Sequence, residues 1–322
     1  MHVIVNRLAR HLRSSESDLY RTLTRPRARA GAPFTIHETR SFDELDRVVR
    51  VIAQNTRNEQ GGTTCVVLAG GDGSYMSGIS ALERAFGDRP LPRIALAPGG
   101  TVATVARNWG LRGPTEPYAA RLLDAIAAGS VDTTQRPTLR VRDERGGDRI
   151  GFIFGTGLVS RFFDEYYASP HQGYAGAARI VARIFAGSLA GGKLARKVLS
   201  PVPCTLTVDG EPQKATAYSL VVASVVRNLG LSMRVLYRAG DDPSRVHLVA
   251  SPLGAGQLGP QMPLVLAGKP LRGRDHVDTL AGSFRVTFTG DHDAYVLDGD
   301  MLRGRWVEVT AGPSLNLLTA RA

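Results

Sequence analysis

Two glycine-rich stretches carry the residue types that handle phosphate. At the first, Gly70-Gly71-Asp72-Gly73-Ser74, a β-branched and apolar run from Thr63 to Ala69 breaks off, and a helix-period pattern of Ile79, Leu82 and Phe86 follows. The second, Pro98-Gly99-Gly100-Thr101, ends another apolar run, Arg93 to Ala97. Glycines tolerate the positive-φ conformations that turn successive main-chain N–H groups into one concavity. A helix starting there adds unpaired donors and the positive end of its dipole. Asp72 fits such a place in two ways. It can cap the helix that follows, or it can share a Mg²⁺ or a substrate hydroxyl with a phosphate it would otherwise repel.

Other chemistries find less support. Gly187-Ser188-Leu189-Ala190-Gly191-Gly192-Lys193-Leu194 approaches the P-loop pattern, but Leu194 stands where a hydroxyl must meet Mg²⁺, within a helical stretch. Gly155-Thr156-Gly157-Leu158-Val159-Ser160 lacks the third glycine of the dinucleotide fingerprint. No G-x-S-x-G occurs, and none of the 7 His residues is placed to argue for a triad. Cys65 and Cys204 sit in apolar runs, as reduced core residues do, and no Cys/His spacing suits zinc.

The elements around the glycine stretches alternate. A strand at residues 2–6 leads into a polar, partly helical stretch to 24 and the breaker-rich Arg25-Pro26-Arg27-Ala28-Arg29-Ala30-Gly31-Ala32-Pro33. A strand from Phe34 to Glu38 then meets Ser41, an N-cap with Glu44 three residues on, opening a helix through Leu45, Val48, Val49 and Ile52. Another helix pattern covers Ala119, Leu122, Leu123 and Ile126. This order predicts an α/β domain with a mainly parallel sheet, helices on both faces, and ligands at the carboxyl ends of the strands. Both glycine stretches fall at such ends.

After Gly129 the rhythm changes to short alternating runs: Thr138 to Val141, Ile150 to Phe154, Thr205 to Val208, Tyr218 to Val225, Arg245 to Val249, Ser283 to Phe288 and Ala294 to Leu297. They predict a C-terminal antiparallel β-sandwich domain. One helical stretch interrupts them, Tyr174 to Leu199, apolar on one side and carrying Arg179, Arg183, Lys193, Arg196 and Lys197. It reads either as a membrane-surface helix or as a core helix with a solvated basic face. The expected domains are residues 1–130, with the tail 310–322 packing back on them, and residues 131–309.

Composition sets the class. With 322 residues, 43% hydrophobic and 21% charged, the chain is long enough for two globular cores. No apolar run is long enough to span a bilayer, and Met1 to Asn6 reads as a strand rather than a signal segment, so the expected location is cytoplasmic. A net charge of +11 favours polyanionic partners: nucleotide phosphates, an anionic membrane surface or nucleic acid. No nucleic-acid motif accompanies the charge, and nucleic acid is not expected as a partner.

Taken together, the two glycine stretches resemble the bacterial lipid kinases of the diacylglycerol kinase and sphingosine kinase superfamily. The hallmarks of that family are a glycine-glycine-Asp-glycine-Thr loop and a later Pro-x-Gly-Thr-x-Asn-Asp-x-Ala-Arg segment followed by Gly-Leu. Here they read Gly70 to Ser74 and Pro98 to Arg107, with Gly110-Leu111 behind. The likeness continues through Phe154-Gly155-Thr156-Gly157 to an Asp-Gly-acid tripeptide near the C-terminus. It implies ATP phosphates on Gly70, Gly71, Asp72, Gly73 and Ser74 and on Gly100 and Thr101. Asn6 and Thr39 would lie near the nucleotide, and Asp72 would join the Mg²⁺ and phosphate network.

By the same resemblance the general base is Asp300 of Asp298-Gly299-Asp300, and Asp298 holds Mg²⁺ or orients that site. Asp209-Gly210-Glu211 matches the family tripeptide better in letters, but it lies between two strand-like runs where Asp-Gly is the expected hairpin turn. Asp242, in Asp241-Asp242, falls where the family binds a structural Mg²⁺; the other reading is a surface turn. The chain departs from the family where Asn6-Arg7-Leu8-Ala9-Arg10 replaces Asn-Pro-x-Ser-Gly, where Met76 and Ser77 replace Asn-Glu, and where Ala103-Thr104 replaces Asn-Asp.

The implied function is an ATP- and Mg²⁺-dependent lipid kinase, a phosphotransferase acting on the hydroxyl of a diacylglycerol-like or sphingoid lipid, with peripheral contact at the inner membrane surface. An alcohol is a poor nucleophile, so this chemistry needs a positioned proton acceptor and cations on the phosphates. The alternatives are an NAD kinase-like enzyme and a catalytically silent lipid-binding or regulatory protein. The sequence names neither the lipid nor the oligomeric state.

Overall fold

The computed structural model describes residues 1–24, 34–56, 64–100, 103–111, 115–170, 173–290 and 293–321. The chain begins β1 (His2–Asn6), α1 (Asp18–Thr24), β2 (Thr35–Thr39), α2 (Phe42–Asn55), β3 (Cys65–Gly70), α3 (Asp72–Phe86), β4 (Arg93–Pro98), α4 (Thr104–Asn108), α5 (Thr115–Ala127) and β5 (Val131–Arg136). It continues β6 (Leu139–Asp143), β7 (Asp148–Gly151), β8 (Ile153–Gly157), α6 (Leu158–Ala168), α7 (Tyr174–Leu189), α8 (Lys193–Val198), β9 (Val202–Val208), β10 (Glu211–Pro212), β11 (Ala217–Tyr218) and β12 (Leu220–Ser224). Then come β13 (Val246–Ser251), α9 (Ala255–Leu258), α10 (Met262–Ala267), β14 (Val277–Ala281), β15 (Ser283–Phe288), β16 (Asp293–Leu297), β17 (Asp300–Gly304), β18 (Trp306–Ala311) and β19 (Leu315–Ala320). Two compact units result, residues 1–136 with 314–322, and residues 137–313. The sequence reading ended the first domain at 130, whereas Val131–Arg136 forms a strand of the first unit's sheet.

In the first unit the strands run β2-β1-β3-β4-β19-β5. β1 pairs in parallel with both β2 and β3, β3 with β4, and β19 with β4; β5 is antiparallel to β19. β3 is buried along its whole length, which is why its residues, Cys-Val-Val-Leu-Ala-Gly, are apolar or small without alternation. α2 packs on α3 and α1 on α5; the right-handed rule for crossovers between parallel strands puts these two pairs on opposite faces of the sheet. Ser41 caps α2, accepting the Glu44 N–H at 3.2 Å, while Glu44 returns a bond to the Arg40 N–H at 2.5 Å. From β1 the chain leaves to one side for β2 and returns on the other as β3. The strand order therefore reverses at β1, and the crevice outside the carboxyl ends of β1 and β3 is where such sheets bind ligands.

The second unit is built on two antiparallel sheets. One is ordered β10-β9-β15-β18-β6-β7, with β11 also on β9, and the other β14-β13-β12-β8-β16-β17. Phe154 of β8 meets Phe284 of β15 at a ring separation of 5.6 Å, and the Tyr295 hydroxyl of β16 donates to Asp143 of β6 at 2.8 Å, so the sheets face each other. The outer face of the second sheet is covered by helices. There Leu220, Val222 and Val249 pack with Ile180 and Ile184 of α7 and Ala195 and Val198 of α8. The single helix read between Tyr174 and Leu199 is in fact α7 and α8, broken at Ala190-Gly191-Gly192, where Gly191 has a φ of +67°. Cys65 and Cys204 are buried free thiols.

Candidate active site

The glycine turns differ in detail from the cradle their sequence suggests. None of Gly70, Gly71, Gly99 and Gly100 takes a positive φ. Their missing side chains serve close approach instead. A Cβ on Gly70 would lie 2.3 Å from Ser74 Oγ, one on Gly99 2.9 Å from Leu12 Cδ1, and one on Gly100 2.6 Å from the Gly71 Cα. The Gly99 N–H donates to the Gly70 carbonyl at 2.6 Å. The two turns thus touch at the carboxyl ends of β3 and β4, with Gly71, Gly73 and Ser74 at the start of α3, where that long helix leaves its first N–H groups unpaired within the helix.

Asp72 also caps, but it caps a different helix. Its Oδ2 accepts the Thr104 N–H at 2.8 Å and its Oδ1 the Val105 N–H at 3.1 Å, both from the first turn of α4, so the carboxylate ties the first glycine turn to the segment behind the second. Burial pushes this carboxyl up, opposed by the Thr104 and Val105 amides and by Arg107. Ala103, the residue before α4, takes the left-handed conformation with φ +51°, at the position where the family pattern has Asn, which adopts it more readily.

Asn6 closes the site across the strand-order reversal: its Nδ2 donates to Ser74 Oγ at 2.8 Å, and Ser74 Oγ accepts the Gly71 N–H at 3.3 Å. Thr39 is buried at the end of β2 with its hydroxyl turned toward the Val5 carbonyl, 3.5 Å away. Asn6, Thr39, Gly70 to Ser74 and Gly100 therefore share the carboxyl ends of β1 to β4. Thr101 lies outside the described residues.

No local sequence pattern marks Arg7 as a site residue. It replaces the proline of the family's loop and is buried, with its guanidinium 4.1 Å above the Tyr20 ring. Nη2 donates to the Arg13 carbonyl at 3.0 Å and to Ser15 Oγ at 2.9 Å, and Nε lies 3.7 Å from Glu38 Oε2. The same loop reaches the second glycine turn through the His11 N–H, which donates to the Gly99 carbonyl at 3.2 Å. An arginine core thus holds the loop that Pro-x-Ser-Gly would otherwise shape.

In the second unit, Asp298 and Gly299 form a two-residue hairpin turn between β16 and β17, with φ values of +51° and +97°. Asp298 is committed to that turn. Its carboxylate accepts the Phe152 N–H at 3.0 Å and the Ile153 N–H at 2.9 Å, which orients the turn. Asp300 follows as the first residue of β17. It is exposed along this edge strand, yet desolvation around its carboxyl pushes it up, opposed by Arg149. Beside the turn, α6 carries Phe162, Phe163, Tyr166 and Tyr167, with neighbouring ring centroids 5.5 to 6.2 Å apart.

Asp242 stands apart in a surface turn, where its Oδ1 accepts the Ser244 N–H at 2.8 Å and hydroxyl at 2.6 Å. Asp209-Gly210 forms the hairpin turn expected of it, leaving Glu211 exposed on β10. The P-loop-like stretch is the α7–α8 corner, with no strand before it. A buried pair that sequence reasoning missed, His247 Nε2 with Asp278 Oδ1 at 2.8 Å, lacks catalytic geometry because His247 Nδ1 accepts the Arg238 N–H. Among the described residues, no three His, Cys, Asp or Glu side chains come together to hold a metal. What the first unit offers is one carboxylate, Asp72, beside two turns of main-chain donors. That suits Mg²⁺ arriving with phosphates and its own waters, rather than in an all-protein cage.

Solved structures share this fold. A crystal structure of a diacylglycerol kinase from Bacillus anthracis str. Sterne superposes with a TM-score of 0.62 at 14% identity, over 99% of this chain and 96% of that one. Yeast NADH kinase complexed with NADH gives 0.52 at 12% identity, over 99% and 83%. No curated protein sequence matches the chain. The family model of the diacylglycerol kinase catalytic domain matches residues 1–135, the stretch that holds both glycine turns.

Proposed function

We propose that the protein is an ATP- and Mg²⁺-dependent lipid kinase that phosphorylates a hydroxyl of a diacylglycerol-like or sphingoid lipid. The observation that carries this reading is the junction of the two glycine turns, Gly71 against Gly100, at the carboxyl ends of β1, β3 and β4. Main-chain N–H groups at the start of α3 and in the Gly100 turn bind the ATP phosphates, and Asn6 and Asp72 hold the turns in register. Mg²⁺, when bound, neutralises phosphate charge, and Asp72 is the side chain that would meet it. Asp300 accepts the proton of the acceptor hydroxyl as its oxygen bonds to the γ-phosphorus and ADP departs. The partly exposed aromatic rings of α6 beside Asp300 favour an acceptor with hydrocarbon next to its hydroxyl.

Peripheral contact with the inner membrane surface belongs to the same reading. No helix among the described residues is long and apolar enough to cross a membrane. Residues 166–208 contain no acidic side chain, and Arg179, Arg183, Lys193 and Arg196 lie exposed on α7 and α8. Attraction to anionic lipid follows from that charge.

The test is purified protein with radiolabelled ATP, Mg²⁺ and a panel of lipid alcohols. A labelled phospholipid lost in Asp300→Ala supports the reading, and equal turnover in that variant removes Asp300 as base. NAD is included in the panel because the fold is shared with yeast NADH kinase; NADP formation without phospholipid would favour the NAD kinase-like alternative. Vesicle binding without ATP consumption on any lipid would favour a silent lipid-binding protein.

A further inference from the structure

The chemistry assigned to Asp300 needs a carboxylate held still, yet Asp300 starts an edge strand directly after a two-residue turn. Edge strands fray, and a main chain at positive φ has little intrinsic preference for its conformation. One side of the turn is fixed by Asp298 on the Phe152 and Ile153 amides. The other side is fixed from α6. The Tyr167 hydroxyl donates to the Gly299 carbonyl at 2.7 Å, across 132 residues of sequence. Phe163 lies near the same turn, 3.9 Å from where a Cβ on Gly299 would stand.

We propose that Tyr167 is a positioning residue for Asp300, its phenol tethering the Gly299 peptide and so aiming the carboxylate that follows. Three features set this bond apart from an incidental surface contact. Gly299 is the residue immediately before the acid, so its carbonyl belongs to the peptide unit whose nitrogen is that of Asp300. The Tyr167 ring is half-exposed but lies against Phe163 and Tyr166 at centroid distances of 5.7 and 5.5 Å, so two neighbouring rings limit where the hydroxyl can swing. Burial pushes the Tyr167 phenol up, and the charge of Asp300 adds to that shift, so the two groups sense each other. Arg149, which bonds Asp143, opposes the upward shift of the Asp300 carboxyl.

The proposal rests on Asp300 being the base, and the experiment separates the two. Tyr167→Phe keeps the ring and removes only the tether. Hydrogen–deuterium exchange over Leu297–Met301 should quicken in Tyr167→Phe while exchange over β8 and β12 stays unchanged. Equal exchange over 297–301 in the two proteins overturns the tether whatever the substrate proves to be. With dioleoylglycerol in mixed vesicles and Mg-ATP, kcat should fall about 10-fold or more with both KM values unchanged, as misaimed catalytic groups do. In an Asp300→Asn background the same change should have no further effect, because a positioning residue acts only through the group it positions. A second, independent loss there overturns the proposal. Full activity of Asp300→Asn alone would remove the base assignment instead, leaving the exchange measurement to decide whether Tyr167 holds the turn.

Discussion

Gly71 and Gly100 meet backbone to backbone, so closely that a Cβ on Gly100 would stand 2.6 Å from the Gly71 Cα and 3.3 Å from its nitrogen. A flexible side chain could swing away from such an intruder, but main chain at the end of a buried strand cannot. Gly100→Ala should therefore force the turns apart, at about 1–3 kcal/mol of stability, and weaken Mg-ATP binding by more than the stability loss explains. Isothermal titration and urea unfolding read the two effects. Gly129→Ala is the control: with φ +67° and nothing within 4 Å, it adds local strain but should leave ATP affinity intact.

The Asp72 carboxyl is raised, chiefly by burial, against the pull of two amides and Arg107. A carboxyl raised on folding contributes stability that is complete below the ordinary carboxylate range and is lost as pH rises through the folded value. Asp72→Asn cannot ionise, so its stability relative to the native chain should improve between pH 4 and pH 7. Asp72→Ala strips the acceptor from Thr104 and Val105 and should cost about 1–3 kcal/mol at either pH. Urea unfolding of all three proteins checks this. A native chain that gains on Asp72→Asn as pH rises would show that the amide bonds outweigh burial.

What could be read from sequence was local. The unbroken apolar residues of β3 and β4 report a doubly covered parallel sheet, and Ser41 with Glu44 announces α2, because each pattern is enforced within one turn or one strand. The misses are non-local. Asp72 could be read as a cap, but the helix it caps lies beyond the second glycine turn. The glycines suggested positive φ, whereas their use is contact with partners such as Leu12 and each other. β5, Val131-Asp132-Thr133-Thr134-Gln135-Arg136, has almost no apolar signal because most of it is exposed, and only its pairing with β19 makes it a strand. α6 has no signal of its own in a sequence where Gly155-Thr156-Gly157 reads as an incomplete dinucleotide fingerprint, while Gly155 in fact admits Val159 of the helix, whose side chain a Cβ there would meet at 2.7 Å. Arg7 could be named as a departure from a motif, but its burial could not.

Asn6 and Ser74 span the point where strand order reverses, and their bond is the direct side-chain link between β1 and α3 at the proposed phosphate site. Each residue also holds one amide, the Leu8 N–H on Asn6 Oδ1 at 2.9 Å and the Gly71 N–H on Ser74 Oγ at 3.3 Å, so Asn6→Ala, which loses the shorter bond, should cost somewhat more than Ser74→Ala. Each single change should remove about 0.5–1.5 kcal/mol, and the double variant should lose less than the sum, since both delete one shared bond. A double-mutant cycle on urea stability and on ATP affinity measures it. Strict additivity would mean that the two residues act separately.

Asp143 is the reverse case to Asp72. It is almost wholly buried, with side-chain exposure of 3%, and burial would raise its carboxyl. The Tyr295 hydroxyl, the Arg149 guanidinium and the Gly147 amide overcome that and hold it below the ordinary carboxylate range. A depressed carboxyl contributes stability that is complete above the unfolded value and is lost as pH falls through the folded one. Because Tyr295 reaches Asp143 from the opposite sheet, this loss should appear as acid-induced loosening of the sandwich. Asp143→Asn should cost about 2–3 kcal/mol at pH 7, toward the low end for a broken buried pair because Arg149 is 32% exposed and can turn to water. Tyr295→Phe should cost about 1 kcal/mol. Urea unfolding from pH 7 down to pH 3 should show the native chain converging on Asp143→Asn. Parallel curves would mean that the pair is not what makes the unit acid-sensitive.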